Sequence, residues 1–388
     1  MDAVALGLPI APRPRDDELI SSWLGRAAAV YDLDGTTLRA SIVHDGRLQR
    51  DRPDLDLDDG EAVRLAEVFR LPTERVAALD LRRAWPGLVV DWLPTIRSGG
   101  WVRGELDLSW CRKCLEEGHA SGGTYLDREA ALPLILCHRH QIWRYDHCGF
   151  CRPRKAPTFV WVDGVTDLFC GDCHRLLRNP GRRSLVASWD SDSRHLGRAF
   201  EILLLFESCL RSAWLGHGVR LQGVGEVAPA EFLAMVADLT RALLAPAWPG
   251  QSLINYYDCG LLPAQPRYKT DHWRHPPYQE LSALYRAWVL SAIVAIVSSE
   301  ETTLLFTGQY WARYAGPPTE VRALEWLFEN AADLVKAMLI RGSQRWPALL
   351  RARIRALHER SGLDVDAVFA RHEGRLREEL QLRPWAFG

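Results

Sequence analysis

Seven of the nine cysteines fall between Cys111 and Cys173, and six of them form three C-x2-C pairs: Cys111/Cys114, Cys148/Cys151 and Cys170/Cys173. The seventh, Cys137, stands three residues before His140 and makes a C-x2-H pair. A C-x2-C turn presents two thiolates to one ion about 2.3 Å away, and four chelating pairs supply the eight ligands of two tetrahedral sites. Two structural zinc ions are therefore expected. Disulfides are the alternative chemistry, but three such pairs with a histidine suit a secreted framework poorly. The N-terminus also shows neither a basic n-region nor an apolar stretch of signal-peptide length.

Consecutive grouping assigns Cys111, Cys114, Cys137 and His140 to one ion and Cys148, Cys151, Cys170 and Cys173 to the other. Both spacings suit zinc-ribbon-like knuckles joined by short hairpins. A cross-braced arrangement, first pair with third and second with fourth, is the competing reading. It usually leaves two or three residues between the middle pairs, and His140 and Cys148 are separated by seven. His138, His147 and His174 adjoin ligands at the wrong spacing and read as supporting or surface residues. Sets closed at four keep no open position for a substrate. With no phosphate loop, nucleophile elbow or zincin helix elsewhere, no catalytic residue is assigned and a non-enzyme is expected.

The elements that position these residues are mostly helical. The 388-residue chain has 48 Lys and Arg against 49 Asp and Glu, a net charge of −1, which excludes a polybasic nucleic-acid coat. Hydrophobic residues make up 47%, enough for a sizeable core, and 16 Trp against three Met make aromatic packing central to it. The longest apolar run, Ala287 to Val297, is too short to span a bilayer and reads as a buried helix, so no membrane association is expected.

The first hundred residues read as short helices. Acids at 16–18 suit a helix N-terminus; Leu19, Trp23 and Ala27 share one face, and Glu18, Ser22 and Arg26 share another as a candidate hydrogen-bonded ladder. Residues 45–60 read as a loop. Glu61 to Leu81 resembles a helix-turn-helix, with Ala66 at the crossing, Arg70 at the turn, and Leu71, Val76 and Leu79 on the core side. Its outward face, Thr73, Glu74, Ala77 and Ala78, is a poor base reader.

The zinc segment carries nine Lys and Arg between Cys137 and Arg183 against four Asp. Arg152, Arg154, Lys155, Arg182 and Arg183, with Arg82 and Arg83 in the front domain, are the candidate nucleic-acid or partner contacts. Beyond a Pro-, Gly- and Arg-rich linker, helices are expected at 200–215, 231–244, 281–297, 319–340 and 347–358. Thr319 would be an N-cap and Gly342 a C′ stop, with Val321, Leu324, Phe328, Ala331, Val335 and Met338 on one face. The expected class is mainly α with small β elements. Its parts are an N-terminal helix-turn-helix-like domain (1–105), tandem zinc lobes (106–180), a linker (181–198) and a C-terminal helical domain (199–388).

The order of these parts resembles the TniQ family of transposition proteins, which includes the TnsD target selectors. The resemblance rests on Glu18-Leu19-Ile20-Ser21-Ser22-Trp23-Leu24-Gly25-Arg26, then Trp110-Cys111-Arg112-Lys113-Cys114, Leu136-Cys137-His138-Arg139-His140, Cys148-Gly149-Phe150-Cys151 and Cys170-Gly171-Asp172-Cys173. It covers 14–180 strongly and the C-terminal half weakly, where Arg345-Trp346-Pro347 is similar to a recurring element before a last helix. The resemblance implies a non-catalytic adaptor that recruits an AAA+ ATPase of the TnsC or TniB type to a target, while a separate transposase cuts DNA. Implied partners are that ATPase and target DNA, directly or through a CRISPR effector complex; a homodimer is allowed. The implied location is the bacterial cytoplasm, on the nucleoid when bound. The alternative is a sequence-specific DNA-binding regulator acting through the helix-turn-helix and the basic zinc loops.

Overall fold

The computed structural model describes residues 7–43, 54–55, 57–85, 95–98, 101–106, 108–151, 157–179, 197–248, 251–256, 278–297, 303–304 and 321–382. The chain divides into two compact units, Met1–His195 and Leu196–Gly388. The described residues are mainly helical, and every sheet among them has two strands.

The first unit opens with α1 (Ile20–Ala29), α2 (Gly35–Ile42), α3 (Asp59–Phe69), α4 (Thr73–Ala77) and α5 (Leu81–Ala84). Helix α1 starts four residues later than its acids suggest, because Glu18 is committed elsewhere: it sits before the helix in a β-bridge with Asp127. Trp23, Leu24, Ala27, Leu65, Phe69, Val76 and Leu79 form one core, with the Trp23 and Phe69 rings 4.4 Å apart. Asp34 and Asp58 cap α2 and α3 by accepting from the Thr37 and Glu61 amides.

The expected turn is present. Arg70 closes α3 in the left-handed conformation at φ 53°. The second helix is only five residues long, however, and Ala77, expected to face outward, is 8% exposed in the core. A hairpin, β1 (Thr95–Ser98) with β2 (Trp101–Leu106), stands where short helices were expected. Its β-branched and aromatic residues around Gly99-Gly100 carry a two-residue turn signal.

The metal segment follows as α6 (Arg112–Ala120), β3 (Leu136–Cys137) paired with β4 (Ile142–Trp143), and β5 (Thr158–Val162) paired with β6 (Val165–Phe169). Asp163 and Gly164, at φ 51° and 85°, form the β5–β6 turn. The β5 strand packs on α1.

The second unit contains α7 (Gly197–Trp214), a β7–β8 hairpin (Val219–Leu221, Gly225–Val227), α8 (Pro229–Leu244), β9 (Pro246–Trp248) with β10 (Gln251–Ser252), and α9 (Ala283–Val297). The apolar run of α9 is buried apart from the half-buried Val294, packed on α7 and α8. Then come β11 (Thr303–Leu304) with β12 (Val321–Arg322), α10 (Ala323–Asn330), α11 (Asp333–Gly342), α12 (Ala348–Ser361) and α13 (Val365–Leu382).

The single helix expected over 319–340 is thus two helices broken at Ala331–Ala332, preceded by a strand at Val321; Thr319 lies outside the described residues. Leu324, Phe328, Ala331 and Val335 are nonetheless buried, because both helices turn an apolar side inward. Gly342 is the last helical residue rather than a left-handed stop. A Cβ there would meet Asp238 Oδ2 at 2.5 Å, so glycine allows α11 to approach α8. Trp346, fully buried, donates from Nε1 to the same carboxylate at 3.0 Å. The final helix, α13, lies beyond the last helix expected from the pattern.

Candidate metal centres and the frame that holds them

The first cluster is assembled from one helix and one hairpin. Cys111 is the N-cap of α6 and Cys114 lies in its first turn; Cys137 ends β3, and His140 stands in the turn to β4, where Gln141 takes φ 52° and donates to the Cys137 carbonyl at 2.7 Å. The Cys114 and Cys137 sulfurs are 3.7 Å apart, and His140 Nδ1 lies 3.5, 3.3 and 3.6 Å from the sulfurs of Cys111, Cys114 and Cys137.

The second cluster brings Cys148 Sγ to 3.6 Å from Cys173 Sγ, and Cys151 Sγ to 3.5 Å from Cys170 Sγ. Backbone amides of Phe150 and Asp172 point at the Cys148 and Cys170 sulfurs, each at 3.5 Å. Within each cluster all four ligand atoms lie within 4.8 Å of one another.

These distances test which chemistry fits. A disulfide holds sulfurs at about 2.05 Å, far shorter than any of these pairs. A tetrahedron with about 2.3 Å metal–sulfur bonds has sulfur–sulfur edges of about 3.8 Å, and a nitrogen vertex shortens its edges slightly. The observed spacings fall on those edges, so each group of four can hold a metal ion. The grouping is consecutive; cross-braced pairing is not what the structure brings together. His138, His147 and His174 contribute no atom to either cluster.

Two supporting residues escaped the sequence pattern. Glu117 receives His140 Nε2 at 2.8 Å and pairs with Arg139 at 2.7 Å. A carboxylate on the far nitrogen fixes the imidazole tautomer so that Nδ1 is free to ligate. The imidazole's hydrogen bond holds the Glu117 carboxyl below its usual range. The available signal was spacing: Glu117 follows Cys114 by three residues on one helix face.

Arg144, counted among the basic residues of this segment, is 1% exposed and therefore not a surface phosphate contact. It binds the Ser109 carbonyl and hydroxyl, Asp127 and Glu129. Burial opposes its charge, but Asp127 and Glu129 outweigh that and hold its pKa up.

The frame joining α1 to this segment is a buried polar ladder. Glu18 accepts from the Ser22 hydroxyl at 2.8 Å and from Arg26 through Nε and a terminal nitrogen at 2.7 and 2.6 Å. Ser22 Oγ in turn accepts from the Leu126 amide, and Leu19 donates to the Leu126 carbonyl. Glu18, Ser22 and Arg26 are 0%, 1% and 5% exposed. Gly25 lies in the same helix, where a Cβ would meet the Phe159 ring of β5 at 2.5 Å, and a Cβ on Gly35 would in turn meet the Gly25 backbone nitrogen at 3.1 Å.

Of the candidate contact residues, Arg83 pairs with Asp59 at 2.6 Å and lines a groove with Arg15, Arg75, Arg128, Val63, Ala77, Ala78 and Ala84. Arg82 is exposed on α5 beside it. Arg152, Arg154, Lys155, Arg182 and Arg183 lie outside the described residues, as do most of the expected linker and Cys259. Cys209, one of the two cysteines outside the C-x2-C and C-x2-H pairs, is half-buried, and burial pushes its thiol up.

Residues 9–152 match the TniQ family model. No curated protein and no solved structure matches the chain. The matched segment takes in the ladder, the turn after α3 and the whole first cluster, so it is similar to TniQ over those parts. That segment is what the chain shares with the TniQ family. Among the described residues no helix is long and apolar enough to cross a membrane.

Proposed function

We propose that this chain is a non-catalytic adaptor of transposition, linking target DNA or a targeting complex to an AAA+ ATPase of the TnsC or TniB type. Two structural zinc ions, one in each cluster, would supply folding energy to a segment with little core of its own. Cys111, Cys114, Cys137 and His140 would hold one, and Cys148, Cys151, Cys170 and Cys173 the other.

The observation that carries this reading is the ladder inside the segment that matches TniQ. Its buried charges are spent on fixing α1 against residues 126–128 rather than on presenting a reactive group. A rigid frame with closed four-ligand centres suits docking, not chemistry. The helix-turn-helix alternative is supported less. Helix α4 has five residues and offers Glu74, Arg75 and Ala78 to the outside, too little to read base edges in a major groove. The groove beside it, of about 800 Å³, mixes arginines with Asp16, Asp59 and Glu74 around small apolar residues, a composition suited to a protein segment.

Reconstitution with the element's own ATPase tests the proposal. The tagged chain should retain the ATPase on a resin, and Arg83→Glu with Arg75→Glu should weaken retention about tenfold or more while leaving both metals bound. An element whose transposition proceeds at its normal rate without this chain would refute the adaptor role.

A further inference from the structure

The arginines of the second unit are unevenly placed. Between Arg341 and Arg360 the sequence holds six arginines against one acid, Glu359, in a chain whose net charge is −1. Residues 341–360 run from the end of α11, through a 3-10 turn at Ser343–Arg345, into α12. Arg341, Arg345 and Arg360 keep 59%, 56% and 62% of their side chains exposed, and Arg355 is exposed as well.

Their internal partners hold them loosely. Arg341 meets Asp366 at 3.2 Å, a carboxylate 93% exposed; Arg345 reaches Asp238 and Arg360 reaches Glu325, each at 3.5 Å. The Arg341–Asp366 and Arg360–Glu325 pairs lie at the surface and are worth about 0–1 kcal/mol, while Arg345 makes only a long single contact to the buried Asp238.

Three of these side chains form a row. Arg351 donates to the Gln344 carbonyl at 3.1 Å, which places it beside Arg345 across the turn, and Arg355 follows one helical turn later on the same flank. Between the arginines the outward face of α12 is Ala348, Ala352 and Ala356, all exposed and all small. The first turn of α12 has no acid, and its N-cap, Pro347, makes no side-chain cap bond. A polyanion laid along this flank would relieve the mutual repulsion of the arginines.

We infer that the flank of α12 carrying Arg345, Arg351 and Arg355 is a nucleic-acid backbone site, gripping phosphates without reading bases. The alanines let the duplex approach closely, and none of the three arginines is built into a bidentate acidic pair that would have to be broken first. The surface lies outside the TniQ match.

The test is fluorescence anisotropy of the full chain with a labelled 30-base-pair duplex of arbitrary sequence, titrated from 50 to 200 mM salt. Each lost phosphate contact lowers the log–log slope by about 0.9, so Arg351→Gln with Arg355→Gln should flatten it by about 1.8. The parent should then lose about twelvefold more affinity than the variant over that fourfold range. Arg351→Lys with Arg355→Lys should restore the parent slope. Arg345→Gln with Arg355→Gln, which leaves the Arg351–Gln344 bond intact, should flatten it equally. A parent slope retained by both glutamine pairs would overturn the inference. So would polyglutamate competing as well as unlabelled duplex, since that outcome assigns the flank to an acidic protein. ATPase retention by these variants is measured separately, so loss of the DNA site and loss of the adaptor role are distinguishable.

Discussion

Replacing Glu18 by Gln removes one charge from a pair that has no access to water. Glu18 is fully buried, and the Arg26 side chain is 6% exposed. The substitution keeps shape and volume, so the loss is electrostatic. Arg26 keeps its contact to the Arg13 carbonyl at 3.0 Å but no carboxylate, and an amide nitrogen is set against a guanidinium. Stranding one member of a buried pair costs about 3–5 kcal/mol.

The cost should appear where the ladder ends, since Ser22 holds the Leu126 amide at 2.9 Å and Arg128 donates to the Asp17 carbonyl at 2.7 Å. Hydrogen exchange read by mass spectrometry on peptides covering 18–26 and 124–130 reports that opening directly. At 1.4 kcal/mol per factor of ten, about 3 kcal/mol accelerates exchange by about a hundredfold. Glu18→Gln with Arg26→Met leaves no stranded charge and should recover a large part of the loss, a coupling of about 1–3 kcal/mol. Exchange in the single variant within threefold of the parent, or a double variant as unstable as the sum of the singles, would refute the reasoning.

Other consequences are equally direct. Metal analysis of native protein should give two zinc ions per chain, with Cys209 and Cys259 the two thiols that react before denaturation; seven or more reactive thiols would refute the ligand assignment. Gly25→Ala drives a Cβ into the Phe159 ring and should cost about 1–3 kcal/mol by thermal melting, relieved in part by Phe159→Ala. Burial raises the Asp54 pKa above 3.8, with the Ser21 amide only partly offsetting it. A raised carboxyl favours the folded state at low pH and gives that up as pH rises through its folded pKa. Asp54→Asn should therefore gain on the parent in urea titrations as pH increases above about 4 and match its trend below. Trp346→Phe removes the donor to Asp238 and should lower stability by about 1–3 kcal/mol in the same assay.

The parts of this protein that were legible in its sequence are those governed by short spacing. C-x2-C turns fix their own partners, so both four-ligand groups could be written down from residue numbers alone. The Glu18, Ser22, Arg26 stripe was readable for the same reason, although its meaning was not, because the carboxylate reaches forward from outside the helix and the hydroxyl reaches a residue 104 positions away. What could not be read were contacts set by tertiary approach. Gly342 has the look of a helix stop, yet it is small because α8 lies against it. Arg144 scores as surface charge until Asp127 and Glu129 are seen to enclose it. The 319–340 stretch keeps a helical period across a break, since periodicity reports which residues face inward and not whether the backbone between them is continuous.

That division bears on where function sits. In the segment that matches TniQ the signature residues are consumed by structure: Trp23 fills the core and donates to the Pro12 carbonyl at 2.8 Å, Gly25 admits Phe159, and Glu18 and Arg26 neutralise each other. None is left to touch a partner. A motif of this kind recognises a frame, and the frame then displays groups that the motif does not contain, such as the groove around Arg75 and Arg83. Substitutions in the motif should therefore unsettle the metal segment and every downstream activity together, whereas substitutions in the groove or along α12 should remove one partner at a time from a protein that still folds and still holds its metals.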